Sequence, residues 1–184
     1  LTGVDLTDYG KGLPGSLTLT TLVRKILKLV PELERLRLSS LDPMEMDDPL
    51  ISLFGDEPRL LPSVHLSVQS GNNMILKRMK RRHQREDVIK VCEKLREKRP
   101  EVTFGADLIV GFPTENEEMF EDTRTLVREA KITQLHVFPY SHRDGTPAQK
   151  MPQVPNQERK RRAKILRSDG VVQLQFILDE GIGS

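Results

Sequence analysis

The chain has 184 residues, which is enough for one domain with a sizeable hydrophobic core. Its formal net charge is +2, so charge alone does not indicate a nucleic-acid partner, and aromatic residues make up only 4% of the chain, too few for a sheet that stacks RNA bases. The single cysteine, Cys92, excludes an internal disulfide, a cysteine-based zinc site and a cluster held by three thiolates of this chain.

The chain begins at Leu1 inside what reads as a strand, so we expect it to start within a larger protein. It shows no signal peptide and no apolar run of membrane-spanning length, and we expect a cytoplasmic protein.

Strand and helix patterns alternate along the sequence. The pattern predicts parallel strands in this spatial order: residues 1–4, 35–38, 64–68, 103–109 and 135–138. Apolar residues at helical spacing predict helices near residues 19–30, 50–54, 75–79, 86–98, 119–130 and 157–168, and residues 171–177 could continue the last of them. Thr114 with Glu117 predicts a capping box at the start of the fifth helix. The fold class is therefore α/β, with about five parallel strands.

The ends of the predicted strands favour a barrel. They carry a polar residue or a glycine at every strand: Asp5, Ser39, Ser40, Gln69, Ser70, Gly111, Tyr140 and Ser141. An open two-sided sheet would need such residues at one crevice only, whereas a barrel or partial barrel uses all of its strand ends. Neither nucleotide fingerprint, G-x-x-x-x-G-K-[ST] or G-x-G-x-x-G, occurs.

One buried strand holds a carboxylate. Asp107 interrupts the apolar run of residues 104–110, and Gly111 ends it. Burying that carboxylate is costly unless it is paired or faces a polar cavity, so Asp107 is either a satisfied structural residue or a ligand-facing one. A lone strand histidine such as His65 is most simply structural, and Cys92 shares a helical apolar stripe.

Basic residues cluster twice. The first group lies within nine positions: Lys77, Arg78, Lys80, Arg81, Arg82 and Arg85. The second lies near the C-terminus: Arg159, Lys160, Arg161, Arg162, Lys164 and Arg167. Each could be a solvated face or a phosphate-binding surface.

Four segments together resemble one family. They are L-T-G-V-D-L-T-D-Y-G at the start, H-L-S-V-Q-S-G from His65, D-L-I-V-G-F-P-T-E from Asp107, and H-V-F-P-Y-S from His136 with G-T-P-A following. The set is similar to the radical S-adenosylmethionine (SAM) methylthiotransferases that modify tRNA. Three of its features resemble the MtaB-type branch, which acts on threonylcarbamoyladenosine beside the anticodon. They are the stretch L-R-L-S-S-L-D, the Val-Asp pair at positions 4 and 5, and the H-V-F-P-Y-S motif.

The resemblance implies a partial (β/α) barrel of the radical SAM type whose first strand is missing here. It implies SAM and two [4Fe–4S] clusters in the full-length protein, none in this chain, together with a tRNA substrate and an electron donor. It divides the chain into a partial barrel, residues 1–155, and a basic C-terminal helix and tail, residues 156–184, leading toward an RNA-binding domain. The fragment alone should be inactive.

The resemblance also implies site residues. Gln69 and Ser70 match positions that face the SAM methionyl and ribose groups, Asp107 lies on the strand pointing into the barrel, and Gly111 and Phe112 lie beside the adenine. Phe138 and Tyr140 are either adenine-packing residues or ordinary core aromatics. The first basic group, residues 77–85, should lie near the rim and bind RNA, and no metal-binding side chain is expected.

Two other classes of function stay open. One is another radical SAM enzyme, such as a methylthiotransferase acting on a ribosomal protein. The other is a catalytically inert RNA-binding or interaction fragment. Six cysteines encoded upstream, three of them spaced x3 and x2, would support the tRNA enzyme, and the absence of upstream coding sequence would support the inert fragment.

Overall fold

The structure, a computed structural model, describes residues 1–3, 6–10, 12, 14–15 and 17–182, with only the backbone of residues 176–182. Within that part of the chain, no helix is both long and apolar enough to cross a membrane. The fold alternates strands and helices, as the sequence predicts.

The sheet has four strands in the described residues, all parallel and in the order β1-β2-β3-β4. They are β1 (Ser40–Leu41), β2 (Ser63–Gln69), β3 (Thr103–Val110) and β4 (Gln134–Pro139). The helices are α1 (Leu19–Leu29), α2 (Asp48–Asp56), α3 (Asn73–Arg78), α4 (Arg85–Lys98), α5 (Glu117–Glu129) and α6 (Asn156–Ile182). This order confirms the predicted α/β class and the succession of the last three strands.

Alternation along the strands explains how the sheet is covered. In β2, Val64, Leu66 and Val68 are buried, while the residues between them are half-buried. The side chains of a strand point to opposite faces in turn, so one face of β2 packs on helices and the other faces a cavity. We call this second face the open face; its residues on the three long strands are His65, Ser67, Asp107, Ile109, His136 and Phe138.

The predicted strand at residues 35–38 is wrong in position. Leu36 forms an isolated parallel bridge with Leu60, and the strand proper is Ser40–Leu41, paired with His65 and Leu66. The register therefore slips by one residue between Leu36 and Ser40, which interrupts a single extended segment. A one-residue slip of this kind depends on the partner strand and cannot be read from the alternation of residues 35–38.

Residues 1–3 lie beside residues 37–39 without forming a strand of the sheet. The Leu1 amino group donates to the Arg37 carbonyl at 2.7 Å, and the Ser39 N–H donates to the Leu1 carbonyl at 3.2 Å. This is the bond pattern of a parallel pair. Val4, the last residue of the predicted first strand, and Asp5, which follows it, lie outside the described residues.

Helix α5 begins with a different cap from the predicted one. Asn116 is the N-cap, and its side-chain oxygen accepts from the Met119 N–H at 2.8 Å. Thr114 instead has a φ of 73°, and its N–H donates to the Pro152 carbonyl. Asn competes well with Thr as an N-cap, so the helix starts two residues later than the capping-box pattern indicates.

Helix α6 packs along β4 and α5. Gly170 has no room for a side chain, since a Cβ there would lie 2.9 Å from Leu135. The Arg167 Nη2 donates to the Val137 carbonyl at 2.7 Å, and Arg124 of α5 pairs with Asp169 at 2.6 Å. The helix is longer than residues 157–168 and includes residues 171–177, as the apolar pattern there allows.

Candidate functional site

Three ionisable side chains converge at the middle of the open face. The Asp107 Oδ1 lies 3.0 Å from His65 Nε2 and 3.3 Å from His136 Nδ1, and the two imidazole rings are 4.7 Å apart. The ladder brings them together because Asp107 lies opposite His136 in the register of β3 and β4. Burial differs among the three, with side chains 12% exposed at His65, 23% at Asp107 and 63% at His136.

Gly105 makes room for this cluster. It lies opposite His65 in the pairing of β2 and β3, and a Cβ at this position would approach His65 Nδ1 to 2.6 Å. No ordinary side chain fits at that distance, so the glycine is what allows the imidazole to lie across β3.

The cluster forms part of the wall of a cavity of about 460 Å³. Arg37, Ser39 and Ser40 line the same cavity from the edge of the sheet. With Thr2, which also lines it, the cavity offers a guanidinium, three hydroxyls, two imidazoles and a carboxylate. This is a polar surface able to bind a small molecule with several hydrogen-bonding groups.

The carboxyl end of β2 is strained at Gln69. Its φ is 68°, unusual for a residue with a side chain, and the Ser70 N–H bonds back to the Val68 carbonyl at 2.9 Å. Backbone strain of this kind is found preferentially at functional sites. The register between β2 and β3 shifts between Leu66 and Gln69, so that Gln69 lies opposite the buried Leu108. The predicted site residue Gln69 therefore lies in a constrained turn at the end of β2.

The predicted site residue Ser70 lies in the core and does not line the cavity. It is fully buried, its Oγ is 3.4 Å from Thr123 Oγ1 of α5, and it accepts from the Asn72 N–H at 3.2 Å. The neighbouring Gly71 also packs on Thr123, which accepts from the Gly71 N–H at 2.9 Å. These contacts hold the β2–α3 turn against α5, and they direct the Ser70 hydroxyl away from the cavity.

The turn after β3 brings two predicted aromatics together. Gly111 has a φ of 68°, and a Cβ there would lie 2.4 Å from Arg159 Cγ. Phe112 and Tyr140 contact edge to face at 5.3 Å, and the Arg159 guanidinium lies 5.2 Å above the Tyr140 ring. Phe112 is buried, whereas Phe138 is exposed on the open face, so of the three aromatics Phe138 is the one presented to a ligand.

A buried ion pair supports this turn from α6. The Glu115 Oε1 accepts from the Gly111 N–H at 2.8 Å and from Arg162 Nη1 at 2.7 Å. Their side chains are only 1% and 6% exposed. Burial raises the pKa of Glu115, against the opposing effects of the Gly111 N–H and Arg162.

The first basic segment is largely paired within the chain. Arg78 donates to Thr114 Oγ1 at 2.6 Å, and Arg81 donates to Asp42 Oδ2 at 3.1 Å and to the Ser67 carbonyl at 2.9 Å. These two arginines thus tie the α3–α4 connection to the ends of β1, β2 and β3.

The rest of the segment divides into paired and solvent-facing cations. Arg82 pairs with Glu45, and Arg85 pairs with Glu129 and donates to the Asp122 carbonyl at 2.8 Å. Lys77 and Lys80 are exposed, and within the described residues neither makes an ion pair or a side-chain hydrogen bond. They are the members of the predicted RNA-binding set that remain available to phosphates.

Cys92 is a core residue, as its helical stripe predicts. It is fully buried on α4, and burial raises the pKa of its thiol to about 12. A thiol that stays protonated at neutral pH is neither a good nucleophile nor a good metal ligand.

Sequence reasoning misses the association of the two histidines with Asp107. It favours a structural role for His65, and His136 enters only as part of the H-V-F-P-Y-S segment. The signal is present in the alternation, since His65 and His136 each fall on the more exposed phase of a strand whose other phase is apolar. The register that joins them to Asp107 is not readable from the sequence.

Comparison with known proteins identifies the relatives of this chain. A model of the radical SAM superfamily matches residues 8–127. The chain is 60% identical over 183 residues to threonylcarbamoyladenosine tRNA methylthiotransferase MtaB of Rickettsia prowazekii, and it covers 44% of that protein. It is 43% identical over 186 residues to the tRNA-2-methylthio-N(6)-dimethylallyladenosine synthase of Rickettsia rickettsii and covers 42% of it. The chain thus spans less than half the length of these relatives, while all of it is matched.

Solved structures agree with the fold. Coproporphyrinogen III oxidase (HemN) from Escherichia coli, a radical SAM enzyme, superposes with a TM-score of 0.65 at 21% identity, over 86% of this chain and 39% of that one. SuiB of Streptococcus suis superposes with a TM-score of 0.53 at 13% identity, over 86% of this chain and 33% of that one. At such identities the likeness concerns the fold alone, and it agrees with a partial barrel. The matched family model, the parallel β/α sheet and the sequence relatives together show that the chain belongs to the radical SAM superfamily.

Proposed function

We propose that this chain is the barrel portion of a tRNA methylthiotransferase that adds a methylthio group to N6-threonylcarbamoyladenosine beside the anticodon. The observation that carries the proposal is the identity to two relatives with different substrates: 60% to the threonylcarbamoyladenosine enzyme and 43% to the dimethylallyladenosine enzyme, each across the whole chain. The enzymatic activity, the tRNA and a cytoplasmic location are parts of this proposal, since the chain is less than half of either relative.

The cofactors of the proposed enzyme are SAM and iron–sulfur clusters. When bound, they supply the radical chemistry, the inserted sulfur and the transferred methyl group. The residues of this chain do not fit a cluster, because a cluster of this type needs several convergent thiolates and the one cysteine is buried in α4. We therefore expect no reductive SAM cleavage by this chain alone, and an electron donor and the cluster ligands would come from outside it.

The open face and the strand ends beside it offer groups that could bind SAM. Gln69 offers an amide at the end of β2, which can donate to and accept from the polar groups of SAM. Gly111 lets Arg159 pack closely on the turn after β3, and Phe138 exposes an aromatic ring on β4. Asp107 lines the cavity on the open face. These residues would orient SAM and the target base.

Phe112, Tyr140 and Ser70 would act mainly through the turns they hold. Phe112 and Tyr140 pack on each other beside the Gly111 turn, and Ser70 fixes the β2–α3 turn on α5. The Tyr140 hydroxyl is buried without a hydrogen-bond partner in the described residues, which leaves it able to bond to a ligand that enters beside it.

The tRNA would approach the carboxyl ends of the strands. Helix α3 leaves the end of β2 and carries Lys77, and Lys80 follows it. Lysines without intramolecular partners can bind backbone phosphates while the pocket holds the modified base. In this proposal the anticodon region of the tRNA lies across that rim.

A chimera tests the proposal. The matching stretch of the Rickettsia prowazekii relative is replaced by these 184 residues, and tRNA nucleosides are analysed by mass spectrometry after reaction. We expect methylthiolated threonylcarbamoyladenosine at a level within about tenfold of the parent, since 60% identity retains the core. The control chimera carries the corresponding stretch of the Rickettsia rickettsii synthase and should lose that product. A soluble chimera with intact clusters that makes no methylthiolated threonylcarbamoyladenosine would contradict the proposal.

A further inference from the structure

We propose that His65, Asp107 and His136 form a binding site for one divalent transition-metal ion, such as Zn²⁺, on the open face of the sheet. This site is separate from any iron–sulfur cluster, since its ligands are two imidazoles and a carboxylate of this chain. It goes beyond the proposed function and does not depend on it.

The spacing of the three ligand atoms supports the site. The Asp107 Oδ1 lies 3.0 Å from His65 Nε2 and 3.3 Å from His136 Nδ1, and one ligand atom from each residue lies within 4.8 Å of the others. Nitrogen and carboxylate ligands bind Zn²⁺ at about 2.0–2.2 Å, which places neighbouring ligand atoms about 3.0–3.5 Å apart. Two of the three spacings already fall in that range, and the exposed His136 can rotate to adjust the third.

The present contacts leave one of the ligand atoms, His65 Nε2, unsatisfied. His65 Nε2 is buried and makes no hydrogen bond in the described residues, although Asp107 Oδ1 is 3.0 Å away, because the angle is unsuitable. A buried nitrogen without a partner is destabilising unless something else binds it. A metal ion between the two imidazoles and the carboxylate would satisfy His65 Nε2, His136 Nδ1 and Asp107 Oδ1 together.

The fold holds the ligands in place before the ion arrives. All three lie on neighbouring parallel strands whose register is fixed by the β-ladder, and Gly105 leaves the space that the His65 ring occupies. Rigid strands position ligands more accurately than loops do.

The ligand types select the class of metal. Imidazole suits zinc, iron, copper and nickel, whereas Mg²⁺ and Ca²⁺ prefer oxygen ligands. Three protein ligands leave at least one coordination position for another molecule, as catalytic metal sites do. That position faces the cavity lined by Arg37, Ser39 and Ser40, so an anionic oxygen donor is the chemistry that would complete the coordination.

The site lies away from the strand ends, and it shares Asp107 with the residues that are proposed to orient SAM. Asp107 precedes Gly111 by four residues on the same strand, a distance of roughly 13 Å at about 3.3 Å per residue. Asp107 Oδ1 lies at ion-pair distance from both histidines. A carboxylate has a second oxygen, which can accept a hydrogen bond from a molecule in the cavity.

Calorimetric titration with Zn²⁺ tests the site. The chain is freed of metal with a chelator and titrated at about pH 7.5. We expect one equivalent to bind with a dissociation constant of about 1 µM or tighter, and we expect Asp107→Asn and His136→Ala each to weaken binding at least about tenfold. The matched control is His142→Ala, which removes an exposed histidine paired with Asp144 at 3.5 Å but leaves the three ligands intact. It should bind Zn²⁺ like the parent.

Co²⁺ spectroscopy gives a second readout. Bound Co²⁺ should show visible absorption that disappears in the His136→Ala variant, and thermal melts of each variant show whether it is folded. His136 is largely exposed, so its removal should leave the fold intact. Absence of stoichiometric Zn²⁺ binding, or binding that is equally strong in folded Asp107→Asn and His136→Ala variants, would overturn the proposal and assign the three residues to a metal-free polar cluster.

Discussion

Two histidines of the chain show how burial and partners decide the role of one residue type. His83 is fully buried in the connection between α3 and α4, where its Nε2 lies 2.9 Å from the Val68 carbonyl. His65 lies on the open face, beside a carboxylate and a second imidazole. The first can only serve the fold, whereas the second faces a cavity that a ligand can enter.

His83 makes stability depend on pH. Burial lowers the pKa of His83, and Arg81 adds to this effect, while the Val68 carbonyl, Asp42 and Asp87 oppose it. The unfolded chain therefore takes up a proton below about pH 6.5 that the folded chain resists, so its contribution to stability is present above that pH and is lost as the pH falls.

We predict that the free energy of unfolding in urea falls between about pH 7 and about pH 5, and that His83→Gln reduces this fall. The control is His142→Gln, which changes an exposed histidine and should retain the parent's pH dependence. An unchanged slope in His83→Gln would show that other groups cause the pH dependence.

At the scale of elements, α6 determines how the end of β3 is held. Arg162 reaches from α6 to the Glu115 side chain and carbonyl, and Glu115 in turn accepts from the Gly111 N–H. A helix placed outside the sheet thus fixes the turn that is proposed to contact SAM. This chain of contacts is also why α6 and the barrel residues form one packed unit.

Removing Arg162 should be much more damaging than removing its neighbour. Arg162→Ala leaves the Glu115 carboxylate buried without its cation, which we expect to cost about 3–5 kcal/mol in the free energy of unfolding. Arg161→Ala, the matched control, removes an arginine that is 44% exposed and also pairs with Glu117 and Glu158, and it should change the free energy of unfolding far less.

Urea denaturation of both variants measures these two losses in the free energy of unfolding. Adding Glu115→Gln to Arg162→Ala should recover part of the loss, because the buried charge is then gone. Equal losses in Arg162→Ala and Arg161→Ala would show that the buried pair does not anchor α6.

The elements are predictable where local signals decide them. Alternation predicts β2 through Val64, Leu66 and Val68, and helical spacing predicts α4 and α5 close to their observed bounds. The predicted start of α5 is wrong because two neighbouring polar residues, Thr114 and Asn116, compete for one cap. The predicted strand at residues 35–38 is wrong because its position depends on a register slip against residues 60–65.

The site is predictable only in part, because local patterns do not show how the strands pair. Alternation places Asp107 on the open face, but its convergence with His65 and His136 depends on the register of three strands. Ser70 follows Gln69 in sequence, yet the turn at Gln69 sends it into the core against Thr123. Likewise the charge run at residues 77–85 does not show that its arginines bond to acidic and carbonyl groups nearby.

For the whole molecule, the open face and the rim of the sheet form the proposed reaction side. Helices cover the opposite face, where the large buried side chains of the core lie. The rim joins Gln69, the Gly111 turn and helix α3, which bears the exposed Lys77. Lys77 and Lys80 therefore follow the carboxyl end of β2, where the tRNA is proposed to approach.

We predict that Lys77→Glu combined with Lys80→Glu weakens tRNA binding and reduces the magnitude of the log–log salt slope by about 0.7 for each phosphate that the lysines no longer neutralise. SAM affinity should not change, because neither lysine lies on the open face. These lysines are better probes than Arg81 and Arg82, whose bonds to Asp42 and Glu45 would mix stability with binding.

The control is Arg24→Glu with Lys28→Glu, the same change of charge on exposed positions of α1. It should leave the affinity for tRNA nearly unchanged at a given salt concentration. Equal weakening by both double variants would mean that the tRNA responds to net charge rather than to this rim.

The proposed role of Asp107 at the reaction cavity is tested most directly in the chimera that carries these 184 residues. The measurement is the effect of Asp107→Asn on 5′-deoxyadenosine formation in a single turnover. A carboxylate that faces the reaction cavity should matter far more for turnover than for folding, so we expect a loss of about 10²-fold with nearly the same melting temperature. Asp144→Asn, the control, changes an exposed aspartate away from the cavity and should retain full activity. A large drop in melting temperature with normal 5′-deoxyadenosine formation per folded molecule would contradict a role of Asp107 in turnover and make it a structural residue.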